Sequence, residues 1–306
     1  MPETTVLETP VPETTARKVD VPIPEVVMAA SEAEAVAAFG DGSGVTVIGG
    51  GTVMTPLMTH GALWPETVLM LQRAGLGGIA DSVVDGVVDG IADGIADGGT
   101  LEIGAAATLA AVAAVAPEPL ASAARIPDYE IRGQATLGGN LMIGGDLQTA
   151  LVAMGARVRS AGAGGERVGP VAEFIAAPWG RLVLSVEVPR PRAGVFVQQR
   201  RRHSHTHPVL TVAVARWADG GVHVAVGSLA PRAPAVACPS VENALAGGAG
   251  PREAAAKVVE DVSPEDDPLA SAWYRRRALP VLVARALEQL EPAPKGGHMN
   301  VPEVGT

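Results

Sequence analysis

The chain has 306 residues, of which 47% are hydrophobic and 3% aromatic, so we expect a sizeable core built mainly from Ala, Val, Leu and Ile. Its 23 Lys and Arg against 33 Asp and Glu give a formal net charge of -10, which argues against nucleic-acid binding because that requires a basic surface. The one cysteine, Cys238, excludes an internal disulfide, a self-contained iron–sulfur cluster and a Cys-rich zinc site, and indicates a reduced, cytoplasmic protein.

The composition of the two chain ends predicts no packed structure. Residues 1–21 contain PETT twice, and acidic residues stand where a signal peptide has a basic segment, so we expect a disordered tail without a targeting signal. Residues 291–306 are expected to form a flexible tail. No run of about 18 apolar residues occurs, and the sequence therefore predicts no association with a membrane.

The first structured segment, Glu25–Phe39, predicts a helix. Val36 and Phe39 have the apolar spacing of a helix. Ser31, followed three residues later by Glu34, has the pattern of a capping box and is expected to begin that helix.

The apolar run Val45–Ile48 predicts a buried strand. It is followed by a glycine turn, Gly49–Gly51, and by a helix expected to begin at Thr52. Val68–Leu71 predicts a second short strand.

Residues 81–99 form a low-complexity run, DSVVDGVVDGIADGIADGG, with a four-residue period that ends in Asp-Gly. The recurring carboxylates suggest calcium binding, but the nine-residue period of calcium-binding solenoids does not fit. Asp-Gly favours tight turns, so we expect an expanded hairpin or a loose loop without a ligand.

The remaining elements mix strands and helices without strict alternation, which predicts an α+β fold. Strands are expected in LEIGAAA, ARVRSAG, Leu182–Val188, GVFVQQRRR, VLTVAVARW and GVHVAVGSLA, the last two joined by the hairpin turn Asp219–Gly221. Helices are expected over Leu109–Val115, Leu120–Arg125, Thr149–Met154, Val241–Ala246, Arg252–Val259 and Ser271–Leu290.

Two glycine segments carry the signal for a ligand. Gly49–Gly51 follows a strand and precedes a helix, so backbone N–H groups and the helix dipole converge there in a way that suits an anion. The dinucleotide fingerprint GxGxxG fails because Met54 stands at its third glycine, and no Walker A pattern occurs. A plain turn remains the alternative for this segment taken by itself.

The second glycine segment, Thr136–Asn140, reads TLGGN and offers a hydroxyl, two glycines and an amide. Asp146 follows as an acceptor suited to a ribose hydroxyl. Two such segments in one chain indicate a ligand with more than one phosphate.

Longer motifs around these segments resemble those of a known family. ARIPDYEIRGQATLGGN (124–140) resembles the second flavin motif of the FAD-binding (medium) subunit of molybdenum hydroxylases, the family of carbon monoxide dehydrogenase and xanthine dehydrogenase, which has the PCMH-type FAD-binding fold. The GGGT of Gly49–Thr52 is similar to its first motif, and DPLASAWYRRRALPVLVARAL (267–287) resembles its C-terminal helix. The resemblance covers about residues 22–290.

The resemblance implies a two-part FAD-binding domain over 22–192 and a smaller C-terminal domain over 193–290, with a three-stranded antiparallel sheet and helices. It implies FAD bound in extended form with its pyrophosphate on the glycine segments, Asp146 at a ribose, and Leu182 or Val183 beside the flavin ring. No metal is expected. The implied cofactor-binding residues are Ile48, Gly49, Gly50, Gly51, Thr52, Val53, Thr136, Gly138, Gly139, Asn140, Asp146, Leu182 and Val183.

The chain departs from the family pattern at three places. The spacer between the second glycine motif and Asp146 is about three residues shorter than in the family form, and the loop before Leu182 is also short. Where the family has Tyr-x-Lys, this chain has Phe196 and Gln198. These two residues and His205 are the candidates for catalytic residues that face the flavin.

The run RRRHSHTH (200–207) leaves three alternatives open for its histidines. His203, His205 and His207 would share one face of a strand, which suits a three-histidine metal site. They also suit a solvated connection, or an acid or base near the flavin, because imidazole titrates near neutral pH. Arg200–Arg202 is interpreted as solvated, with an acidic partner as the alternative.

Single residues elsewhere receive structural interpretations. Cys238 lies in a Pro-rich segment without a paired histidine and is interpreted as incidental. Trp179, Trp217 and Trp273 are interpreted as packing residues.

The resemblance implies an oxidoreductase component whose FAD relays electrons between partner iron–sulfur and molybdopterin subunits and an acceptor. The changed residues at the expected flavin face motivate an alternative, a free-standing FAD-dependent oxidase or dehydrogenase that acts directly on a small molecule. A flavin-binding protein without redox function is the third hypothesis.

Overall fold

The computed structural model of the protein describes residues 23–82, 99–202 and 207–290. The predicted tails and residues 83–98 of the repeat lie outside these ranges. The strands are β1 (Glu25–Met28), β2 (Val45–Ile48), β3 (Thr67–Met70), β4 (Ile79–Ser82), β5 (Thr100–Gly104), β6 (Arg157–Ala161), β7 (Arg167–Pro170), β8 (Leu182–Pro189), β9 (Ala193–Gln199), β10 (Leu210–Arg216), β11 (Val222–Gly227) and β12 (Val236–Ala237). The helices are α1 (Glu32–Phe39), α2 (Met54–Thr59), α3 (Leu109–Val115), α4 (Leu120–Ala124), α5 (Tyr129–Gln134), α6 (Leu137–Met142), α7 (Leu147–Ala153), α8 (Val171–Ala176), α9 (Pro239–Ala246), α10 (Pro251–Ala256), α11 (Val258–Asp261) and α12 (Ala272–Leu290).

The chain begins with a three-stranded parallel sheet in the order β1-β3-β2. The prediction of one helix over Glu25–Phe39 is therefore wrong for its first residues, because β1 pairs with β3. The predicted N-cap is confirmed, because Ser31 Oγ accepts a hydrogen bond from the Glu34 N–H at 3.2 Å. The Glu34 carboxylate accepts a hydrogen bond at 2.8 Å from the N–H of Ala30, one residue before the N-cap of a regular capping box. The cap fixes the start of α1 and separates it from the strand.

A second sheet of five strands, in the order β4-β5-β8-β6-β7, completes the N-terminal domain. An ion pair connects it to the first sheet: Arg159 of β6 donates from both terminal nitrogens to the carboxylate of Glu32 on α1, at 2.7 Å each. The short helices α3, α4, α6 and α7 bury alanines and leucines against this sheet.

The C-terminal domain contains a four-stranded antiparallel sheet in the order β12-β11-β10-β9. The predicted three strands are present, and the two-residue strand β12 extends them. Helices α9 to α12 cover one face of the sheet. The predicted α+β class is confirmed, and no helix in the described ranges is long and apolar enough to cross a membrane.

Strand β10 faces two cores at once. Successive side chains of a strand point to opposite faces, and here Val212 and Val214 pack among the C-terminal helices, whereas Ala213 and Ala215 join the core of the N-terminal domain. The small alanine face lets α7 pack against the sheet, where Thr149 and Thr211 share a buried hydrogen bond of 2.8 Å. The core of the N-terminal domain therefore extends onto one face of the C-terminal sheet.

The structure confirms some of the interpretations of single residues and contradicts others. Trp217 is 7% exposed, as a packing residue should be. The same interpretation is wrong for Trp179 and Trp273, which are 80% and 68% exposed; Trp273 stacks with Arg277 instead. Cys238 is fully buried, and burial raises the pKa of its thiol, which agrees with an incidental cysteine rather than a nucleophile.

The start of α12 is fixed by a buried ion pair. The Arg275 side chain donates to the Asp267 carboxylate at 2.6 Å and to the carbonyl oxygens of Val209, Glu265 and Ala270 at 3.2, 2.7 and 2.9 Å. Burial raises the pKa of Asp267, but hydrogen bonds from Arg275 and from backbone N–H groups outweigh it and leave the pKa below its usual value. The pair thus holds α12, β10 and the loop before α12 together.

We expect Asp267→Asn to lower the free energy of unfolding by about 3–5 kcal/mol, because Arg275 would keep its charge in a buried site without a carboxylate. The folded-state pKa of Asp267 is lowered, so its contribution is present above the ordinary value of 3.8 and is lost as the pH falls below it. Thermal unfolding between neutral and acidic pH measures both effects. Glu260→Gln, which removes an exposed ion pair with Lys257, is the control and should leave the midpoint unchanged.

Candidate cofactor cleft

The two glycine segments lie against each other. A Cβ atom on Gly49 would collide with the hydroxyl of Thr136, and one on Gly50 would collide with the carbonyl oxygen of Gln134. Strand β2 can therefore reach the segment before α6 only because both positions lack a side chain. Gln72 fixes the same strand end by donating to the Gly49 carbonyl at 2.8 Å.

The remaining glycines of the two segments have different roles. Gly51 has a φ of +72°, a left-handed conformation that turns the chain after β2, and α2 begins at Met54 rather than at the predicted Thr52. Gly138 is buried, and a Cβ there would lie 2.9 Å from that of Ala105. Gly139 is exposed, and a Cβ there would meet only the Thr136 hydroxyl, at 3.0 Å. Gly138 is thus required by packing, whereas Gly139 faces open space.

Thr136 begins α6 as its N-cap. Its Oγ accepts a hydrogen bond from the Gly139 N–H at 3.2 Å. The segment before it is held from the other side as well, because the Leu109 N–H donates to the Ala135 carbonyl and the Leu137 N–H donates to the Ala107 carbonyl, at 2.8 and 2.9 Å.

A cleft of about 320 Å³ opens between these segments and the C-terminal domain. Most of the residues implied by the resemblance line it. The predicted residues in its lining are Ile48, Gly49, Gly50, Gly51, Thr52, Val53, Thr136, Gly139, Asn140 and Asp146.

Three predicted cofactor-binding residues are not brought to this cleft. Gly138 packs on Ala105, and Leu182 and Val183 are buried in the cores on the two sides of β8. Both faces of β8 are covered, so neither side chain reaches the lining.

The candidate catalytic residues do not line the cleft either. Phe196 packs against the core of the N-terminal domain, and Gln198 is exposed on β9. His205 lies outside the described residues, as does His203, whereas His207 lines the cleft. In the part of the chain that the structure describes, no cluster of three His, Cys, Asp or Glu side chains is placed to hold a metal ion.

The shortened turn before Asp146 is built by Asn140. Gly144 has a φ of +75°, and a Cβ on Gly145 would collide with the Asn140 amide. The Oδ1 of Asn140 accepts a hydrogen bond from the N–H of Leu147 at 3.1 Å, which fixes the first turn of α7. Asn140 therefore has a structural role in addition to its place in the lining.

Asp146 stands at the N-terminal end of α7 and is half-buried. Burial raises the pKa of its carboxyl group, and the positive charges of His207 and Arg200 oppose that rise. The carboxylate therefore lies in a site that favours a hydrogen-bonding or cationic partner.

The structure overturns the interpretation of Arg200 as solvated. This residue is half-buried and lines the cleft, and its Nη2 donates to the carbonyl oxygen of Ile126 at 3.0 Å. Arg201 donates to the Pro268 carbonyl at 3.3 Å, and Arg202 is exposed. The position of Arg200 two residues beyond Gln198, on the same side of an extended segment, was the one sequence signal for its role.

The sequence also missed the apolar wall of the cleft. It is formed chiefly by side chains near α3, α5 and α6, namely Leu109, Ile126, Pro127, Ile131, Ala135 and Ile143. Apolar walls with a few placed polar groups are typical of sites for large organic cofactors. The cleft thus offers glycine backbone for phosphates, a carboxylate for a hydroxyl and an apolar surface for a ring.

Comparison with known families agrees with this geometry. The family described as FAD binding domain in molybdopterin dehydrogenase matches residues 20–191, which is more than half of the chain. The CO dehydrogenase flavoprotein C-terminal domain matches residues 195–290. No curated protein sequence is detectably similar to this chain.

Solved structures share the fold. Carbon monoxide dehydrogenase from Hydrogenophaga pseudoflava is 24% identical with a TM-score of 0.73, over 88% of this chain and 97% of that one. Quinoline 2-oxidoreductase from Pseudomonas putida 86 is 19% identical with a TM-score of 0.70, over 88% and 97%. Reconstituted CO dehydrogenase from Oligotropha carboxidovorans is 20% identical with a TM-score of 0.72, over 88% and 98%.

The family matches confirm the resemblance seen in the sequence motifs, and the structural neighbours confirm the fold. The family matches also confirm FAD as the cofactor. The chain therefore belongs to the family of FAD-binding subunits of molybdenum hydroxylases.

Proposed function

We propose that this chain holds FAD in the described cleft and relays electrons between a molybdenum- and iron–sulfur-containing partner and an acceptor. The observation that carries the proposal is the cleft itself, where Gly139 lacks a side chain at an open position beside the segment Gly49–Gly51. When bound, FAD supplies the two-electron redox chemistry that no side chain of the cleft provides. The protein supplies its position and its electrostatic surroundings.

Different residues of the cleft bind different parts of FAD. The backbone of Gly49–Gly51 presents N–H groups to the phosphates, which bind without a lysine because oriented N–H groups carry partial positive charge. The N–H groups at the start of α6 are already used in hydrogen bonds within the protein. Asp146 accepts a hydrogen bond from a ribose hydroxyl, as the resemblance implies, and the apolar wall around Ile126 excludes water from the ring.

The partners follow from what the chain lacks. Its one cysteine cannot hold an iron–sulfur cluster, so any cluster that reduces the flavin must belong to another protein. The similar carbon monoxide dehydrogenase of Hydrogenophaga pseudoflava is described as lacking the Mo-pyranopterin part of its molybdenum cofactor, so the intact enzyme contains molybdenum. We propose a partner of that kind for this chain, in the cytoplasm, where Cys238 stays reduced.

Affinity purification of this chain from its native cell should recover an iron–sulfur protein and a molybdopterin protein with it. Reduction of the flavin should then require the partners and their substrate. If the chain purifies alone and a small-molecule substrate bleaches its flavin directly, the relay is refuted and the free-standing oxidase or dehydrogenase is correct.

Gly139→Val should abolish retention of FAD, because the added side chain would occupy the cleft beside the Thr136 hydroxyl. Flavin absorbance per protein after purification measures this, and circular dichroism checks folding. Gly133→Val on exposed α5 is the matched control, since a Cβ there meets no atom within 4 Å. A Gly139→Val protein that still purifies yellow would contradict the placement of FAD.

Gly50→Ala should instead destabilise the apoprotein, by about 1–3 kcal/mol, since the new methyl group would press on the Gln134 carbonyl rather than on the cofactor. Thermal unfolding of flavin-free protein measures this effect. Gly133→Ala, at an open helical position, should leave the midpoint unchanged or slightly higher. Equal midpoints for Gly50→Ala and the wild type would show that the two glycine segments do not depend on this close contact.

A further inference from the structure

The lining of the cleft also contains an arginine, Arg200. Arg200 comes from the end of β9 in the C-terminal domain, whereas the glycine segments belong to the N-terminal domain. Among the residues that line the cleft, the basic side chains are Arg200 and His207. Of these two residue types, only arginine has the planar guanidinium group that binds phosphate through two parallel hydrogen bonds.

Two hydrogen bonds hold the guanidinium in place. Its Nη2 donates to the Ile126 carbonyl across the domain boundary at 3.0 Å, and its Nε donates to the Gln198 amide oxygen at 2.8 Å. An arginine has five N–H donors, so three remain available to a ligand. The side chain is therefore positioned before any ligand arrives.

The Arg200 guanidinium makes no close ion pair within the described residues, although the Asp146 carboxylate interacts with it electrostatically. In the described ranges no carboxylate lies within ion-pair distance of it, whereas Arg159 pairs with Glu32 and Arg275 pairs with Asp267. A half-buried guanidinium without a carboxylate is costly unless it serves a ligand.

We propose that Arg200 is a cofactor-binding residue contributed by the C-terminal domain, and that its positive charge stabilises the phosphates of FAD in the cleft. The inference rests on the proposed function, because it takes FAD as the ligand. Glycine N–H groups provide only partial charges, and the nearby carboxylate of Asp146 repels a diphosphate. A full cation offsets that repulsion and forms strong charge-assisted hydrogen bonds.

The hydrogen bond from Arg200 to Ile126 crosses between the two domains. Ile126 precedes α5 and forms part of the apolar wall. By bonding to its carbonyl, Arg200 fixes that wall and the C-terminal domain at one distance across the cleft. Binding of the cofactor then depends on both domains, and not on the glycine segments alone.

The test is a titration of flavin-free protein with FAD at low and at high KCl concentration. Quenching of the flavin fluorescence measures binding. Arg200→Gln should raise the Kd about ten- to a hundredfold and should make it less sensitive to salt. Arg200→Lys, which keeps the charge but not the planar geometry, should recover most of the affinity. Arg285→Gln removes an exposed arginine of α12 as the matched control and should bind FAD like the wild type.

An unchanged Kd in Arg200→Gln would overturn the inference, provided that circular dichroism shows a folded protein. Equal losses in Arg200→Gln and Arg200→Lys, with unaltered salt dependence, would also overturn it, because Arg200 would then act only as a tether to Ile126. Failure of the wild type itself to bind FAD would refute the proposed function as a whole, and so the two failures are distinguishable.

Discussion

The cleft depends on one close contact between two stretches of backbone. Gly49 and Gly50 at the end of β2 touch the segment Gln134–Thr136, and any side chain at these two glycines would separate them. The same segment is bonded on its other side to residues 107–109. It is therefore clamped between the first sheet and the start of α3, and the position of α6 follows. The glycine backbone that the cleft offers to a phosphate is placed by this contact.

Local signals in the sequence predicted local structure well. Ser31 and Glu34 form a cap at the predicted position, and Val45–Ile48 is a strand with the predicted bounds. Residues 25–28 were misassigned because they become a strand only by pairing with β3, about 40 residues away in the chain. Helices α5 and α6 were missed for a similar reason, since each has only six residues and is stabilised by tertiary contacts.

In the cleft, too, local motifs were predicted from the sequence, whereas contacts between distant parts of the chain were not. Its glycines, Thr136 and Asp146 were found because motifs name them, and they do line it. Leu182 and Val183 were expected beside the flavin ring, yet a continuous apolar strand gives no indication of which face meets a ligand, and β8 is covered on both. Arg200 belongs to a run of charges that reads as solvated. Its partner Ile126 is 74 positions earlier, and no local pattern could have joined the two.

The alternation of valine and alanine along β10 has a consequence for the shape of the cleft. Ala213 and Ala215 are the points at which the sheet rests on α7, and the contact is so close that a Cβ on Gly227 would collide with the Thr149 hydroxyl. Helix α7 begins next to Asp146, while the strand beside β10 ends at Gln199, one residue before Arg200. The small alanine side chains therefore let the helix that follows Asp146 and the sheet that leads to Arg200 pack closely together. Side chains that do not line the cleft thus help to place two residues that do.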